Sequence, residues 1–198
     1  MVDRSDAQLL DAAADGDAHA FSIFFRRHVD AITRYALRRC ATPDDVSDLV
    51  GECFLVALQA AGRYRPETDT ALPWLFGISR RLVAKQRRRL ASRSRLLAKT
   101  SNVFPRFTDC EDDEVASAID AARQAPALEA ALARLSTSER EVLELVAYDG
   151  LTPTEAAFAL GITANAARLR LSRARKTVRE SLETEGILAF DPEATYAT

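Results

Sequence analysis

Cysteine is scarce in this chain: three residues in 198, at Cys40, Cys53 and Cys110, odd in number and far apart. No C-x-x-C pair is there to bind a metal or run redox chemistry, so reduced thiols in a cytoplasm are the expectation. Histidine is scarcer still, with His19 and His28 alone and no ligand cluster around either. Aromatics make up 7% of the residues while alanine and arginine abound, which favours helix over strand. No uncharged apolar run is long enough to span a bilayer, so the chain is not expected to insert into a membrane. Met1 is followed by VDRSDAQ, acidic and polar, which does not read as a secretion signal. No nucleophile motif, phosphate loop or metal spacing stands out, so no catalytic residue, metal or cofactor is expected, and the chain does not read as an enzyme. Net charge is only −2, but the charge is segregated into blocks, and those blocks carry the information.

The most informative stretch runs from Ser136 to Arg179 and reads as three short-spaced helices, the last two forming a helix-turn-helix. Ser136, Thr137 and Ser138 offer N-cap oxygens, and Glu141 lies three residues after Ser138, a capping-box spacing. Val142, Leu145 and Val146 recur at helical spacing until Asp149-Gly150 breaks the run. Thr152 is positioned to cap the next helix with Pro153 at its first position, and Gly161 suits the turn that ends it. In the third helix Ala167, Leu171, Ala174, Val178 and Leu182 form an apolar seam. Arg168, Ser172, Arg175 and Arg179 share another face, widened by Arg170, Arg173 and Lys176. There is no acid from Ala156 to Arg179. Six cations crowded without a carboxylate are costly unless an anionic partner is present, and a helix of this kind after a short helix and a Gly turn fits a DNA major groove. The plain alternative is a solvated basic face.

Before this stretch, Ser5 to Ala14 is a short helix candidate ended by Asp15-Gly16-Asp17, and a longer helix is expected from about Ala18 to Cys40. In that helix Phe21, Phe24, Phe25, Ile32 and Leu37 supply core surface. Thr42-Pro43-Asp44-Asp45 is a helix start with a cap, a first-turn proline and acids at the positive dipole end. The helix it opens, to about Ala61, has a buried stripe of Val46, Leu49, Val50, Cys53 and Ala57. Asp45, Asp48 and Glu52 share a different face. The dipole accounts for acids in the first turn but poorly for Glu52, so an acidic docking face and plain solvation both stand as readings. After the polar loop Gly62 to Thr70, Leu72-Pro73-Trp74 opens a helix that turns basic. From Thr70 to Thr108 there are ten Lys or Arg and no acid. Leu75, Ile78 and Leu82 face a core, while Arg81, Lys85 and Arg88 line one side, with Tyr64 and Trp74 at the entry. Aromatics beside cations suit single-stranded DNA, where every base has a stackable face and every nucleotide a phosphate; Trp74 also reads as an ordinary core residue. Residues 92–126 shift abruptly from basic to acidic (TDCEDDEV) and include Pro105 and Pro126, which reads as a flexible linker. The tail from residue 184 has no periodicity.

Taken together these blocks resemble the extracytoplasmic-function sigma factors of bacterial RNA polymerase. GDAHAFSIFFRRH, DDVSDLVGECFLVAL and WLFGISRRLVAKQRRR are similar, in order and spacing, to the family's second conserved region. LSTSEREVLELVAYDGLTPTEAAFALGI and RLSRARKTVR are similar to its fourth. The resemblance implies an all-α fold of two small helical domains, at 1–91 and 127–183, joined by the acidic linker 92–126 and followed by a flexible tail at 184–198. It implies docking on the polymerase core, whose clamp and flap regions are the partners, with Asp45, Asp48, Leu49, Glu52 and Phe54 on the clamp. It further implies melting and reading of the −10 element by Arg63, Tyr64, Trp74, Arg80, Arg81, Lys85 and Arg88. The −35 element would be read by Thr163, Asn165, Ala166, Arg168, Arg170, Arg173 and Arg175. The partners implied are core polymerase, promoter DNA and an anti-sigma factor, and the linker would thread toward the polymerase cleft.

Some positions depart from the family pattern. Arg81 and Lys85 stand where Asn and Asp are common, Gly51 where Gln is common, and Ala166-Ala167 where Thr-Val is usual. Leu169 stands where a small polar residue is usual. Fewer hydrogen-bonding side chains in the recognition helix shift reading toward shape and phosphate contacts. Two other classes remain to be weighed. A free-standing repressor or activator would use the same helix-turn-helix but needs a dimerisation or effector domain. A recombinase or nuclease would press Asp44, Asp45 and Asp48 into service as metal ligands. Cys110 reads either as an oxidation sensor or as a spectator thiol.

Overall fold

The computed structural model describes residues 4–96 and 125–185, with side chains through residue 89 in the first span. All regular elements among the described residues are helices, in two compact units. Most of the expected linker, Cys110 within it, and nearly all of the expected tail lie outside the described residues.

The first unit begins with α1 (Asp6–Ala14), opened by a capping box. Ser5 Oγ accepts the Gln8 N–H at 3.3 Å, and Gln8 Oε1 accepts the Ser5 N–H at 2.9 Å. Helix α2 (Ala18–Leu37) is capped by Asp17, whose Oδ1 accepts the N–H groups of His19 and Ala20, both at 3.0 Å. It stops before the Cys40 end expected from the sequence, since the chain turns at Arg38 and Arg39. Helix α3 (Pro43–Ala60) starts as the Thr42-Pro43 pair predicts, with Thr42 Oγ1 accepting the Asp45 N–H at 3.1 Å. A 3-10 turn (Ala61–Arg63) leads to the loop before α4 (Leu72–Leu96). Helix α4 thus runs past residue 91, into the segment read as linker.

Apolar periodicity decides how these four helices pack. Helix α1 lays Leu9 and Leu10, both fully buried, against α2, and α3 packs on both α2 and α4. Phe24 is at the centre with no exposed surface; its ring meets His28 at 4.8 Å and Phe54 at 6.4 Å, both edge-on. The α3 stripe is as read, with Val46, Leu49, Cys53 and Ala57 buried and Val50 half-buried. The α2 stripe is narrower than read: Phe24 and Ile32 are buried, but Phe25 and Leu37 keep over a third of their surface exposed.

The second unit is built chiefly from the helices after residue 124. Helical residues 125–133 form α5, followed by α6 (Thr137–Ala147), α7 (Pro153–Leu160) and α8 (Ala164–Thr184). Leu132, Leu135 and Ala174 make a core that Leu143 and Val178 pack against. The α6 capping box uses Ser136 with Glu139 rather than Ser138 with Glu141: Ser136 Oγ accepts the Glu139 N–H at 3.3 Å and Glu139 Oε2 accepts the Ser136 N–H at 3.1 Å. Helix α7 has its own box, Thr152 with Glu155. Gly161 follows it at φ +66°, a left-handed conformation that a β-carbon would strain. Replacing Ser136 by Ala should cost about 1 kcal/mol, because the Glu139 N–H at the head of α6 loses its acceptor and the Glu139 carboxylate loses the Ser136 hydroxyl that donates to it. A urea titration of the full chain should show an earlier midpoint with an unchanged slope.

Candidate nucleic-acid interface

Helix α8 is anchored by its seam and capped by Thr163, whose Oγ1 accepts the Ala166 N–H at 3.2 Å. Ala167, Leu171 and Ala174 are buried, and packing of this seam against α6 leaves the opposite side to solvent. Thr163, Asn165, Arg168, Arg173 and Arg175 are exposed, while Ala166 and Arg170 are half-buried. Leu169, among those cations, exposes 50% of its surface. The arginines are not equivalent. The Glu139 carboxyl is held below its ordinary pKa by hydrogen bonds from Ser136, and further by the nearby charges of Arg173 and Arg170. Those two therefore already face an acid. Arg168 makes no ion pair among the described residues.

The first unit presents a second cationic face. Arg81, Lys85 and Arg88 recur at spacings of four and three along α4 and all are exposed. At the entry to this helix, Tyr64 and Trp74 are half-buried and in contact, ring centres 4.9 Å apart with the planes at 54°. Arg63, at the end of the 3-10 turn, is exposed, and Arg80 is half-buried. Lys85 does not stand alone: its Nζ donates to Glu52 Oε1 at 3.0 Å, with both side chains nearly half exposed. The residue read as a DNA contact and one read as a polymerase contact thus form a single pair. An exposed pair of this kind contributes roughly 0–1 kcal/mol, so it can open when a better partner arrives.

The acidic face of α3 divides on inspection. Asp48 and Glu52 are exposed. Asp45 is half-buried and engaged, with Oδ2 accepting from Thr42 Oγ1 at 2.8 Å and Oδ1 from Gln86 Nε2 at 2.6 Å. Leu49 and Phe54 are each only 4% exposed, so these two pack α3 into its own unit and are not available as contact residues on its surface. Sequence reasoning missed Leu55 instead: it exposes 54% of its surface and follows Asp48 and Glu52 by seven and three residues, so it continues their face.

Sequence reasoning also treated His28 as isolated, and it is not. His28 Nε2 lies 2.8 Å from Asp6 Oδ2, both groups buried. The same oxygen accepts the Ala71 N–H at 2.7 Å and the Thr70 hydroxyl at 3.1 Å, while Asp6 Oδ1 takes Arg27 Nη1 at 2.7 Å. Burial alone would raise the carboxyl pKa, but the His28 hydrogen bond, the Ala71 N–H, the His28 charge and Arg27 together pull it well below the carboxylate range. The stability this adds is present above the unfolded carboxylate pKa of about 3.9 and is lost only as pH falls through the lower folded value.

The two described thiols, Cys40 and Cys53, point away from reactivity. Burial pushes Cys53 up to about 11 against a hydrogen bond from Ser79, and burial with the Asp45 charge pushes Cys40 up to about 11. Among the described residues, Asp44, Asp45 and Asp48 included, no three His, Cys, Asp or Glu side chains are grouped to hold a metal ion. Nor is any described helix long and apolar enough to cross a membrane.

The chain matches the family model for Sigma-70 region 2 over residues 24–93 and that for Sigma-70, region 4 over residues 126–178. It is 30% identical to the RNA polymerase sigma factor NccH of Alcaligenes xylosoxydans xylosoxydans, covering 94% of this chain and 100% of that one. It is also 30% identical to the ECF RNA polymerase sigma factor SigM of Mycobacterium tuberculosis, covering 87% and 82%. Among solved structures it resembles CnrH, a sigma factor of Cupriavidus metallidurans, in complex with the cytosolic domain of CnrY. There the TM-score is 0.62 at 27% identity, covering 91% of this chain and 99% of that one.

Proposed function

The chain belongs to the extracytoplasmic-function sigma factors of RNA polymerase, which direct promoter-specific initiation of transcription, and from that membership we propose how its residues divide the work. The second unit reads the −35 element with the N-terminal half of α8 in the major groove. Arg168 supplies base-edge hydrogen bonds, and Asn165 and Ala166 line the approach. Leu169 offers an apolar contact suited to a thymine methyl. Arg170, Arg173 and Arg175 hold phosphates, and Thr163 sets the start of the helix. The first unit opens and reads the −10 element with Arg63, Tyr64, Trp74, Arg80, Arg81, Lys85 and Arg88, the ring pair offering a stacking surface for an unpaired base. Asp48, Glu52 and Leu55 dock α3 on a basic surface of the polymerase clamp, and the second unit meets the flap.

The observation that carries this reading is the segregation of charge on exposed faces: two acid-poor cationic helices in one chain, and a carboxylate face on a third. A repressor has no use for the carboxylate face, and phosphate would be repelled from it. The protein supplies no chemistry of its own; bond making belongs to the polymerase, with which it acts in the cytoplasm. By similarity to CnrH, which is solved with the cytosolic domain of CnrY, an anti-sigma partner is part of the proposal. Run-off transcription with core polymerase and this chain tests it. Initiation from a fixed promoter only when the chain is added is the expected result; initiation unaffected by the chain would refute it.

A further inference from the structure

We propose that Asp6 is a positioning residue for promoter opening: its buried carboxylate fixes the end of the 64–71 loop to the helical frame, and so fixes the Tyr64–Trp74 pair that meets the melted strand. The proposal rests on the assignment of −10 reading to the first unit. Its basis is the convergence of three chain segments on one carboxylate. Asp6 is at the head of α1, Arg27 and His28 are on α2, and Thr70 and Ala71 close the loop into α4. From its place on the first, the carboxylate accepts from the other two, with contacts between 2.7 and 3.1 Å. The remaining hydrogen bonds extend that grip into the loop. Thr70 Oγ1 also accepts the Leu72 N–H at 3.3 Å, and the Thr68 hydroxyl donates to the Thr70 carbonyl at 2.7 Å. Arg27 Nη2 reaches back to the Arg4 carbonyl at 3.1 Å, so the arginine staples both sides of the head of α1. Tyr64, at the other end of the loop, has its pKa raised by burial and then by the Asp6 charge, which puts it within the field of the same carboxylate.

Stability alone is a weak reason for such a cluster. Helix α1 is already held by Leu9, Leu10 and Ala13, and a buried ionic group contributes little net stability compared with a well-packed apolar one. What an apolar residue cannot do is specify the direction of the Ala71 N–H and the Thr70 hydroxyl. A fully satisfied polar network does that, and it holds one loop geometry against the others of similar energy. The strand-capturing surface requires that service. Tyr64 and Trp74 flank a loop with no regular hydrogen-bonded structure of its own, and a base can stack only on rings already held in place.

The test compares Asp6→Asn and Thr70→Val in the full chain, assembled with core polymerase, on a duplex promoter and on the same promoter with a pre-melted −10 segment. Asparagine keeps the shape but loses the charge; valine removes only the loop hydroxyl and leaves Asp6 with Arg27 and His28. Permanganate reactivity of −10 thymines reads opening directly. Polymerase affinity and thermal melting are measured alongside. Opening of the duplex promoter should fall roughly tenfold for Asp6→Asn, in line with loss of charge-assisted hydrogen bonds, and less for Thr70→Val. Polymerase affinity should hold, and initiation from the pre-melted template should stay within about twofold, since opening is no longer demanded. Equal losses on both templates, or a loss of polymerase affinity, would reduce Asp6 to a fold-stabilising residue and overturn the proposal. If Asp6→Asn fails to fold, Thr70→Val decides: normal opening with that variant also overturns it. Trp74→Ala and Arg81→Ala separate this from the underlying assignment. If these two open the duplex normally, the −10 reading fails; if they are impaired and Asp6→Asn is not, only the role of Asp6 fails.

Discussion

Reversing the charge at Asp48 should abolish promoter-directed transcription while leaving the protein folded. Asp48 is exposed on α3, outside the stripe that packs the helix, so Asp48→Arg removes no core contact. A surface substitution of this kind shifts stability by roughly half a kcal/mol at most. At an interface the same change counts far more. It replaces an attraction to a basic clamp surface with a like-charge contact, which costs several kcal/mol, on the order of a hundredfold or more in affinity. Co-purification with core polymerase should be lost, and run-off transcription with it, while binding of the isolated chain to promoter DNA stays near wild type. The structure makes Asp48 a cleaner probe than Glu52. Glu52 pairs with Lys85 at 3.0 Å, so Glu52→Arg would crowd two cations and disturb a residue assigned to the −10 element. Glu52→Gln avoids that crowding but releases Lys85, and its effect mixes docking with opening. Undiminished polymerase binding by Asp48→Arg would refute the docking role of α3.

How much of this was legible beforehand follows from the range of the interactions involved. Helix starts that depend on one cap and one proline, such as Thr42-Pro43 and Thr152-Pro153, were legible because the determinants sit within a single turn. The α6 start was legible only to within two residues. Ser136 with Glu139 and Ser138 with Glu141 satisfy the same spacing and leave the same face apolar, and the helix takes the earlier pair. The observed frame buries Val142 and Leu145. Leu49 illustrates a conflict visible in the sequence itself: it belonged to the α3 stripe by period and to the docking face by resemblance. Packing decides for the stripe, since burying a leucine contributes about 1.5–3 kcal/mol and a solvent-facing contact offers nothing until a partner arrives. Asp6 and His28 were illegible for a different reason. They are 22 residues apart, and Asp6 and Ala71 are 65 apart, so no local spacing links them. The one available hint was a carboxylate placed just after Ser5 in the first turn of α1, which the helix dipole already explains.

The second large effect is expected in α8, where the environment of each arginine predicts a different kind of loss. Arg168 is exposed in the first turns of the helix, where side chains reach base edges, and no carboxylate among the described residues pairs with it. Arg168→Ala should cost about 1–3 kcal/mol of −35 affinity if the guanidinium is bidentate to guanine, and the loss should concentrate at one base pair. Arg173 is exposed too, but it shares the field of Glu139 with Arg170, which suits a residue that holds a phosphate without reading a base. Arg173→Ala should weaken binding to all sequences alike and lower the salt slope by about one. Glu139→Gln should do the opposite: freed of its acid, the pair of arginines binds any duplex more tightly and discrimination falls, though the capping of α6 by Ser136 then needs a stability check. Fluorescence anisotropy on upstream-element duplexes, with single base-pair changes and across a salt series, reads both quantities with the full chain. A base-specific loss at Arg173 with a uniform one at Arg168 would invert the assignment. Equal, sequence-independent losses at both would mean that neither arginine reads a base, leaving base discrimination to promoter shape and to the neighbouring Asn165, Ala166 and Leu169.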